Sequence, residues 1–241
     1  MSYTLNKIME YVLDPLHWAR AKQDFLLRLS HVKSVEEAVD LTWDFNGPGL
    51  YKRLKPNQDR WEITTLARRV AAIQPKVIVE LGTRGGGSLF ILAQTSPALE
   101  VLVSIDLPGG IHGGGYAAPR AKLYQKFVAN KPDCRLDLVR LDSQKPSTVE
   151  HLKRLLGGRP IDFLFIDADH RYEGVKRDFE LYQPLVRPGG LIAFHDIRPN
   201  IQDQDTQVYR LWDQLKAEGR DVEEIVNEPY RGYFGIGILR N

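Results

Sequence analysis

Five short runs after Pro75 set the strongest limit on the fold: KVIVELG, EVLVSIDLP, LDLVRLD, IDFLFIDAD and GGLIAFHDI. Each has the length of one strand, is rich in branched apolar residues, and is too apolar for a sheet with one wet face. Strands of this kind are covered on both faces, which means parallel pairing joined by helical crossovers. The intervening segments read as those helices. Ser147 with Glu150 can box a helix whose Val149, Leu152 and Leu156 share a face before GGRP ends it. Val175, Phe179 and Tyr182 form another such face after Gly174, and PGG at 188–190 resets the chain for the fifth run. Val208, Leu211, Trp212 and Leu215 mark one more helix. DVEEIVNE and GYFGIGILR then close the chain as two strands joined near Pro229, an antiparallel hairpin at the sheet edge. The pattern predicts one α/β domain with a doubly wound, Rossmann-like sheet of seven strands, parallel except for the C-terminal hairpin.

Residues 58–241 carry that domain, and residues 1–57 read as a helical N-terminal extension, a lid or a dimer arm. Asp14 and Pro15 suit an N-cap and first helical position, and Ser34 with Glu37 makes a capping box. From Asn57 a further helix is expected, because Ile63, Leu66, Val70 and Ile73 recur at helical spacing until Pro75. The turn-rich WDFNGPGLYKRLKPNQ between them is a loop, either a lid or a packing strap.

Composition excludes some functions. With 43% hydrophobic residues, a chain of 241 can bury a full core, and 33 basic against 31 acidic residues give none of the basic bias that tracks nucleic acid. Cys134 is the one cysteine, so neither an intrachain disulfide nor a cysteine zinc cluster can form. The first residues lack a signal-peptide pattern and no run approaches a membrane span, so a cytoplasmic protein without a membrane partner is expected. A homo-oligomer stays open.

In such sheets ligands bind beyond the carboxyl ends of the strands. The first run delivers Glu80 and then GTRGGGS, where Arg84 replaces a glycine of the dinucleotide fingerprint and the Gly-Lys-Ser/Thr ending of a phosphate loop is missing. That counts against a nicotinamide oxidoreductase. What remains is an acid and spaced glycines, Glu80, Gly82 and Gly86, better suited to a cationic or hydroxyl-bearing group than to phosphate. Asp106 ends the second run where an acid can hold a ribose, though a plain strand-end aspartate is the other reading. Asp142 and Ser143 end the third; they can bond an adenine edge or cap the next helix.

On VELGTRGGGS, SIDLPGG, LDSQ, FIDADH and GGLIAFHD, residues 58–241 resemble the class I S-adenosylmethionine-dependent methyltransferases. The motifs GTRGGGS, DLPGGIHGGGY and FIDADHRYEGVKRD are similar to the cephalosporin-hydroxylase-like and sugar O-methyltransferase branch, related to metal-dependent catechol and caffeoyl-CoA O-methyltransferases. The resemblance implies that Glu80, Gly82, Gly86 and Ser88 hold the amino-acid end of S-adenosylmethionine, Asp106 the ribose, and Asp142 and Ser143 the adenine. It implies that Asp167 and Asp196, at the tips of the fourth and fifth strands, ligate a divalent metal, most simply Mg²⁺. Where the catechol enzymes have an asparagine this chain has Ile197, and His195 is the nearest third ligand, which leans toward Mn²⁺ or Fe²⁺. A metal-free enzyme using Asp167 as a cofactor contact is the alternative.

His170 matches the catalytic lysine of the catechol enzymes and is implied as the base, with Asp167, for a hydroxyl acceptor. Asp169 reads as a cap for the next helix, and His17, His31 and His151 as surface residues. The glycine-rich loop 108–116 is expected to order on ligand binding, with His112, Tyr116 and Arg120 available to touch substrate. The expected activity is methyl transfer to a hydroxyl of a small molecule, a sugar or glycosylated metabolite. The rivals are a cephalosporin-type metal-dependent oxygenase and a non-catalytic S-adenosylmethionine-binding protein.

Overall fold

The apolar runs become the strands of one sheet in the computed structural model, which describes residues 11–109, 115–227 and 234–241. Helices α1 (Asp14–Leu29), α2 (Val35–Asp44) and α3 (Arg60–Ala72) come first. Then follow β1 (Val77–Leu81), α4 (Gly87–Ala93), β2 (Val101–Ile105), α5 (Ala121–Tyr124) and β3 (Arg135–Val139). The chain continues through α6 (Pro146–Leu156), β4 (Ile161–Ile166), α7 (Tyr172–Tyr182), β5 (Val186–His195), α8 (Val208–Ala217), β6 (Val222–Ile225) and β7 (Ile236–Arg240). The strand order is β3-β2-β1-β4-β5-β7-β6, parallel from β3 to β5 and antiparallel at β5–β7 and β7–β6. Pro229 and the hairpin turn lie outside the described residues. No helix among the described residues is long and apolar enough to cross a membrane.

Both sheet faces are covered, as the continuous apolar runs require. On one face Ile78, Leu102, Phe163 and Phe165 share a core with α1 to α4. Phe25 of α1 anchors it, with ring centroids 5.6 Å from Phe45, 5.4 Å from Phe90 and 5.6 Å from Phe127. On the other face Val79, Val103, Leu164 and Ile192 pack with α6, α7 and α8. The first helices therefore share the sheet's core.

Local signals were mostly where the sequence puts them, with five physical departures. The Ser34–Glu37 capping box forms as expected, with Ser34 Oγ accepting from Glu37 N at 3.2 Å and Glu37 Oε2 accepting from Ser34 N at 3.0 Å. Asp14 is instead the first residue inside α1, and its buried carboxylate accepts from Tyr51 Oη at 2.7 Å and Lys122 Nζ at 2.8 Å. Helix α3 starts at Arg60, because Asp59 accepts from the Trp61 and Glu62 amides. Ser147 lies within α6 and makes no box; Thr148 Oγ1 donates back to the Asp142 carbonyl at 2.7 Å. The PGG turn sits inside β5, where Val186 pairs with Ile161 but Leu191 with Phe163, so the extra residues bulge out. His17 is half-buried rather than a surface residue: a Cβ on Gly49 would lie 2.1 Å from its Nδ1.

Arg120, which the sequence offers as a substrate contact, serves the scaffold. Its five N–H groups donate to Tyr124 Oη (2.9 Å) and to the carbonyls of Leu50 (2.7 Å), Lys52 (2.7 Å), Arg53 (3.0 Å) and Gly85 (2.9 Å). A planar guanidinium saturates all its donors this way, while an ammonium has only three. Residues 50–53 are thereby strapped to the glycine-rich turn after β1. Arg120→Ala is expected to lower the unfolding free energy by about 2 kcal/mol, with Arg120→Lys recovering less than half. Urea unfolding of both variants checks this, and an unchanged midpoint would show the strap held by other contacts.

Candidate active site

Parallel register brings the strand ends level: Leu81 pairs with Ile105 and with Ile166, Ile105 with Val139, and Ile166 with Phe194. The ladder runs one step further, with Gly82 N donating to Ile105 O (2.9 Å), Asp106 N to Val139 O (2.9 Å) and Asp167 N to Leu81 O (2.8 Å). The residues just past the strands therefore crowd one edge where the chain order reverses. Gly82 (φ 87°) is required there, since a Cβ would sit 2.1 Å from the Asp167 carbonyl oxygen. At Gly87 a Cβ would lie 2.0 Å from the Leu54 carbonyl of the strap. Gly82 and Gly87 are thus demanded by the protein's own backbone before any ligand is considered, and Gly86 (φ 84°) by the Tyr124 ring, 2.6 Å from a Cβ there.

A cleft of about 310 Å³ opens at this edge. Its lining includes Gly82, Thr83, Ser88, Asp106, Asp167, His170, His195 and Asp196 from the strand ends, and Arg53, Lys55 and Gln58 from the strap. Glu80 lies fully buried, outside the lining, and accepts from Thr83 Oγ1 at 2.9 Å, while its Oε1 has no partner. Burial pushes its carboxyl up to about 8. Asp106 accepts from the Arg84 amide at 2.9 Å; burial raises its pKa too, against the pull of backbone amides.

The cluster Asp167, Asp169 and His170 divides by direction. Asp167, His170 and Asp196 each offer a ligand atom, and the three atoms lie within 4.8 Å of one another. His170 Nδ1 is 2.6 Å from Asp196 Oδ2. His195, 3% exposed, puts Nδ1 3.1 Å from Asp167 Oδ1 and 3.3 Å from Asp196 Oδ2, and its buried Nε2 has no partner. Burial disfavours charge on both rings, but the two carboxylates outweigh it, raising His170 and lifting His195 well above the ordinary histidine value. Asp196 is lowered in return: burial opposes this, and both histidines overcome it. Asp169 turns away, held by the Arg171 guanidinium (2.6 Å) and amide (3.0 Å) and by Gln144 Nε2 (2.9 Å). These bonds overcome its burial and hold its pKa at about 2. Helix α7 starts after Arg171 without a side-chain cap.

Asp142 and Ser143 fall outside the cleft lining. Asp142 Oδ1 accepts from the Gln144 amide at 2.9 Å, and the Ser143 carbonyl accepts from Tyr182 Oη at 2.9 Å. Beneath them Asp178 is fully buried, and burial raises its carboxyl to about 7. Tyr116 is buried against Tyr124, centroids 4.7 Å apart, under the Arg140 guanidinium at 4.6 Å; His112 lies outside the described residues.

Sequence reasoning missed Gln58. Its Nε2 donates to Asp167 Oδ2 at 2.6 Å, and its buried Oε1 has no partner. The only signal was its place in a loop marked as lid or strap, 109 positions from the aspartate it touches. Backbone strain is a second unread feature. Among the described residues five non-glycines have positive φ, and four of them, Arg53, Arg84, Asp196 and Phe234, line this cleft. Such conformations cost about 1–3 kcal/mol each and gather where function holds them.

A family model described as a methyltransferase domain matches residues 79–197, which include every one of these strand-end residues. An O-methyltransferase of Bacillus cereus, solved in complex with SAH, superimposes with a TM-score of 0.55 at 22% identity, covering 88% of this chain and 93% of that one. An O-methyltransferase of Streptomyces achromogenes involved in tomaymycin synthesis, in complex with SAM, gives 0.56 at 22% identity, covering 91% and 95%. A rhamnosyl O-methyltransferase of Mycobacterium bovis is 26% identical over 61% of this chain and 54% of its own length. The chain spans about half or less of the curated relatives it matches, 18% of one and 50% of another. Residues 79–197 match a methyltransferase domain, and the sheet around them has the fold of these O-methyltransferases.

Glu80 and Asp178 fix a pH dependence. Their folded pKa values, about 8 and about 7, stand above the ordinary carboxyl values of 4.5 and 3.8, so the folded chain keeps protons that the unfolded chain releases. Their contribution to stability is full below about pH 4 and is lost as pH rises through 7 and 8. Unliganded protein should lose stability between pH 5 and 8, by up to about 1.4 kcal/mol per unit for each group, and Glu80→Gln should flatten the profile. Chemical denaturation across that range measures the slope; identical slopes would place the titration elsewhere.

Proposed function

We propose that this chain is an S-adenosylmethionine-dependent O-methyltransferase acting on a hydroxyl of a small molecule, a sugar or glycosylated metabolite, with a divalent cation at the reaction centre. The observation that carries it is the convergence of Asp167, His170 and Asp196 within 4.8 Å, beside the glycine-rich turn of a methyltransferase domain. The rhamnosyl enzyme among the relatives supports the sugar.

The residues present fit both groups. Gly82, Thr83, Ser88 and Asp106 form one wall of the cleft. There Asp106 would bind the ribose hydroxyls, and Ser88 with the turn's backbone the amino-acid end. Glu80 would act from behind Thr83, and Asp142 with Ser143 would meet the adenine beyond the present cleft. Asp167 and Asp196, with His195 beside both, suit a hard or borderline divalent ion, and the unpartnered His195 Nε2 and Gln58 Oε1 leave polar atoms at the same place in want of a ligand. When bound, S-adenosylmethionine supplies a methyl carbon made electrophilic by its sulfonium, and the cation lowers the pKa of the acceptor hydroxyl.

The chain's own task is alignment and proton removal. Asp167 and Asp196 would hold the cation, with Asp167 oriented by Gln58. The hydroxyl's proton would pass to Nε2 of His170, while Asp196 holds Nδ1 and makes the ring more basic. The deprotonated acceptor oxygen would then be the nucleophile that these residues align. The strap at the cleft and the helices beneath it would serve as a fixed wall for substrate.

Calorimetry should find one S-adenosylhomocysteine site, weakened about tenfold or more by Asp106→Ala. Mn²⁺ should bind the loaded protein and be lost in Asp167→Asn. On a panel of sugar hydroxyls, His170→Ala should cut labelled methyl transfer by about 10²–10⁴. No binding of S-adenosylhomocysteine would end the reading.

A further inference from the structure

The cleft is polarised. The acids in its lining, Asp106, Asp167 and Asp196, are buried or half-buried, while the lining cations Arg53, Lys55 and Arg84 are exposed. Lys55 lies over the Trp43 ring at 5.5 Å. Among the described residues neither Arg53 nor Arg84 pairs its guanidinium with a carboxylate.

These two arginines are not side chains left loose on a helix surface. Both hold left-handed backbone, Arg53 at φ 50° and Arg84 at φ 41°. One hydrogen-bonded chain fixes them relative to each other. The Arg53 carbonyl accepts from Arg120 Nη2 (3.0 Å), Arg120 Nε donates to Tyr124 Oη (2.9 Å), and that hydroxyl donates to the Arg84 carbonyl (2.7 Å). Glycine would take either position without strain, as it does two residues on at Gly86. Arginine there costs backbone energy, and among the described residues no carboxylate offsets it.

We infer that the acceptor is anionic: a hydroxyl compound carrying a phosphate or carboxylate, gripped between Arg53 and Arg84 while its hydroxyl lies at Asp167 and His170. Guanidinium forks match such groups by paired, charge-assisted hydrogen bonds. The inference rests on the methyltransferase reading. The cofactor's own carboxylate is the competing claimant for these arginines, and binding separates the two.

Inorganic phosphate is titrated into the S-adenosylhomocysteine-loaded protein at constant ionic strength, with chloride as control, for wild type, Arg53→Gly and Arg84→Gly. Wild type should show a saturable phosphate-dependent rise in melting temperature. Each variant should weaken phosphate about tenfold and melt at or above wild type because the strain is relieved, and Arg53→Gly, outside the turn assigned to the cofactor, should keep S-adenosylhomocysteine affinity within about twofold. Melting also reports whether a variant folds, and Arg53→Lys, expected to retain part of the phosphate response, gives a second reading if a glycine variant does not. The inference is overturned if phosphate acts no differently from chloride, or if the variants lose S-adenosylhomocysteine and keep phosphate, which would assign the pair to the cofactor. A wild type that binds phosphate but no S-adenosylhomocysteine would instead remove the methyltransferase reading, and this inference with it.

Discussion

The contact on which the rest depends is between Gly82 and the carbonyl of Asp167. With room for no Cβ at all, the turn after β1 lies directly against the tip of β4, and the ladder bonds of Gly82 and Asp167 continue past both strands. The acid of one strand end is therefore placed beside the turn of another by backbone alone. Side-chain chemistry is added to a geometry that parallel register already fixes, which is why β1, β2, β4 and β5 can each contribute a group to one small volume.

Around that contact the electrostatics form a closed loop of compensation. Buried Asp196 stays charged because two imidazoles face it, and those imidazoles hold protons more tightly because two carboxylates face them. Glu80 and Asp178, buried without such partners, shift the other way. The same residue type thus takes opposite states within one domain, decided by whether a basic group lies within hydrogen-bond reach.

Most of the fold was legible because it is periodic. The apolar runs announce buried parallel strands, and Asp106, read as a strand-end acid, and Asp167 and Asp196, singled out by the family resemblance, all line one cleft. The illegible parts are those that depend on distance in space with no trace in spacing. Gln58 meets Asp167 across 109 positions, and Arg120 gathers carbonyls from residues 50–53 and 85, a use of arginine that no local pattern distinguishes from a surface charge. Asp14 and Ser147 show the complementary error: each occupies a spot where a capping residue is statistically favoured, but tertiary partners or the next turn claimed it. The glycines of the turn were visible in the sequence, but a pattern shows neither that the Asp167 and Leu54 carbonyls and the Tyr124 ring exclude a Cβ there nor which of them does so at each position.

The strap also bears on how the cleft wall is held together. Its carbonyls and that of Gly85 converge on a single guanidinium, so one side chain joins the strap to the turn after β1. Removing that one side chain would therefore release two separate segments of the cleft wall together.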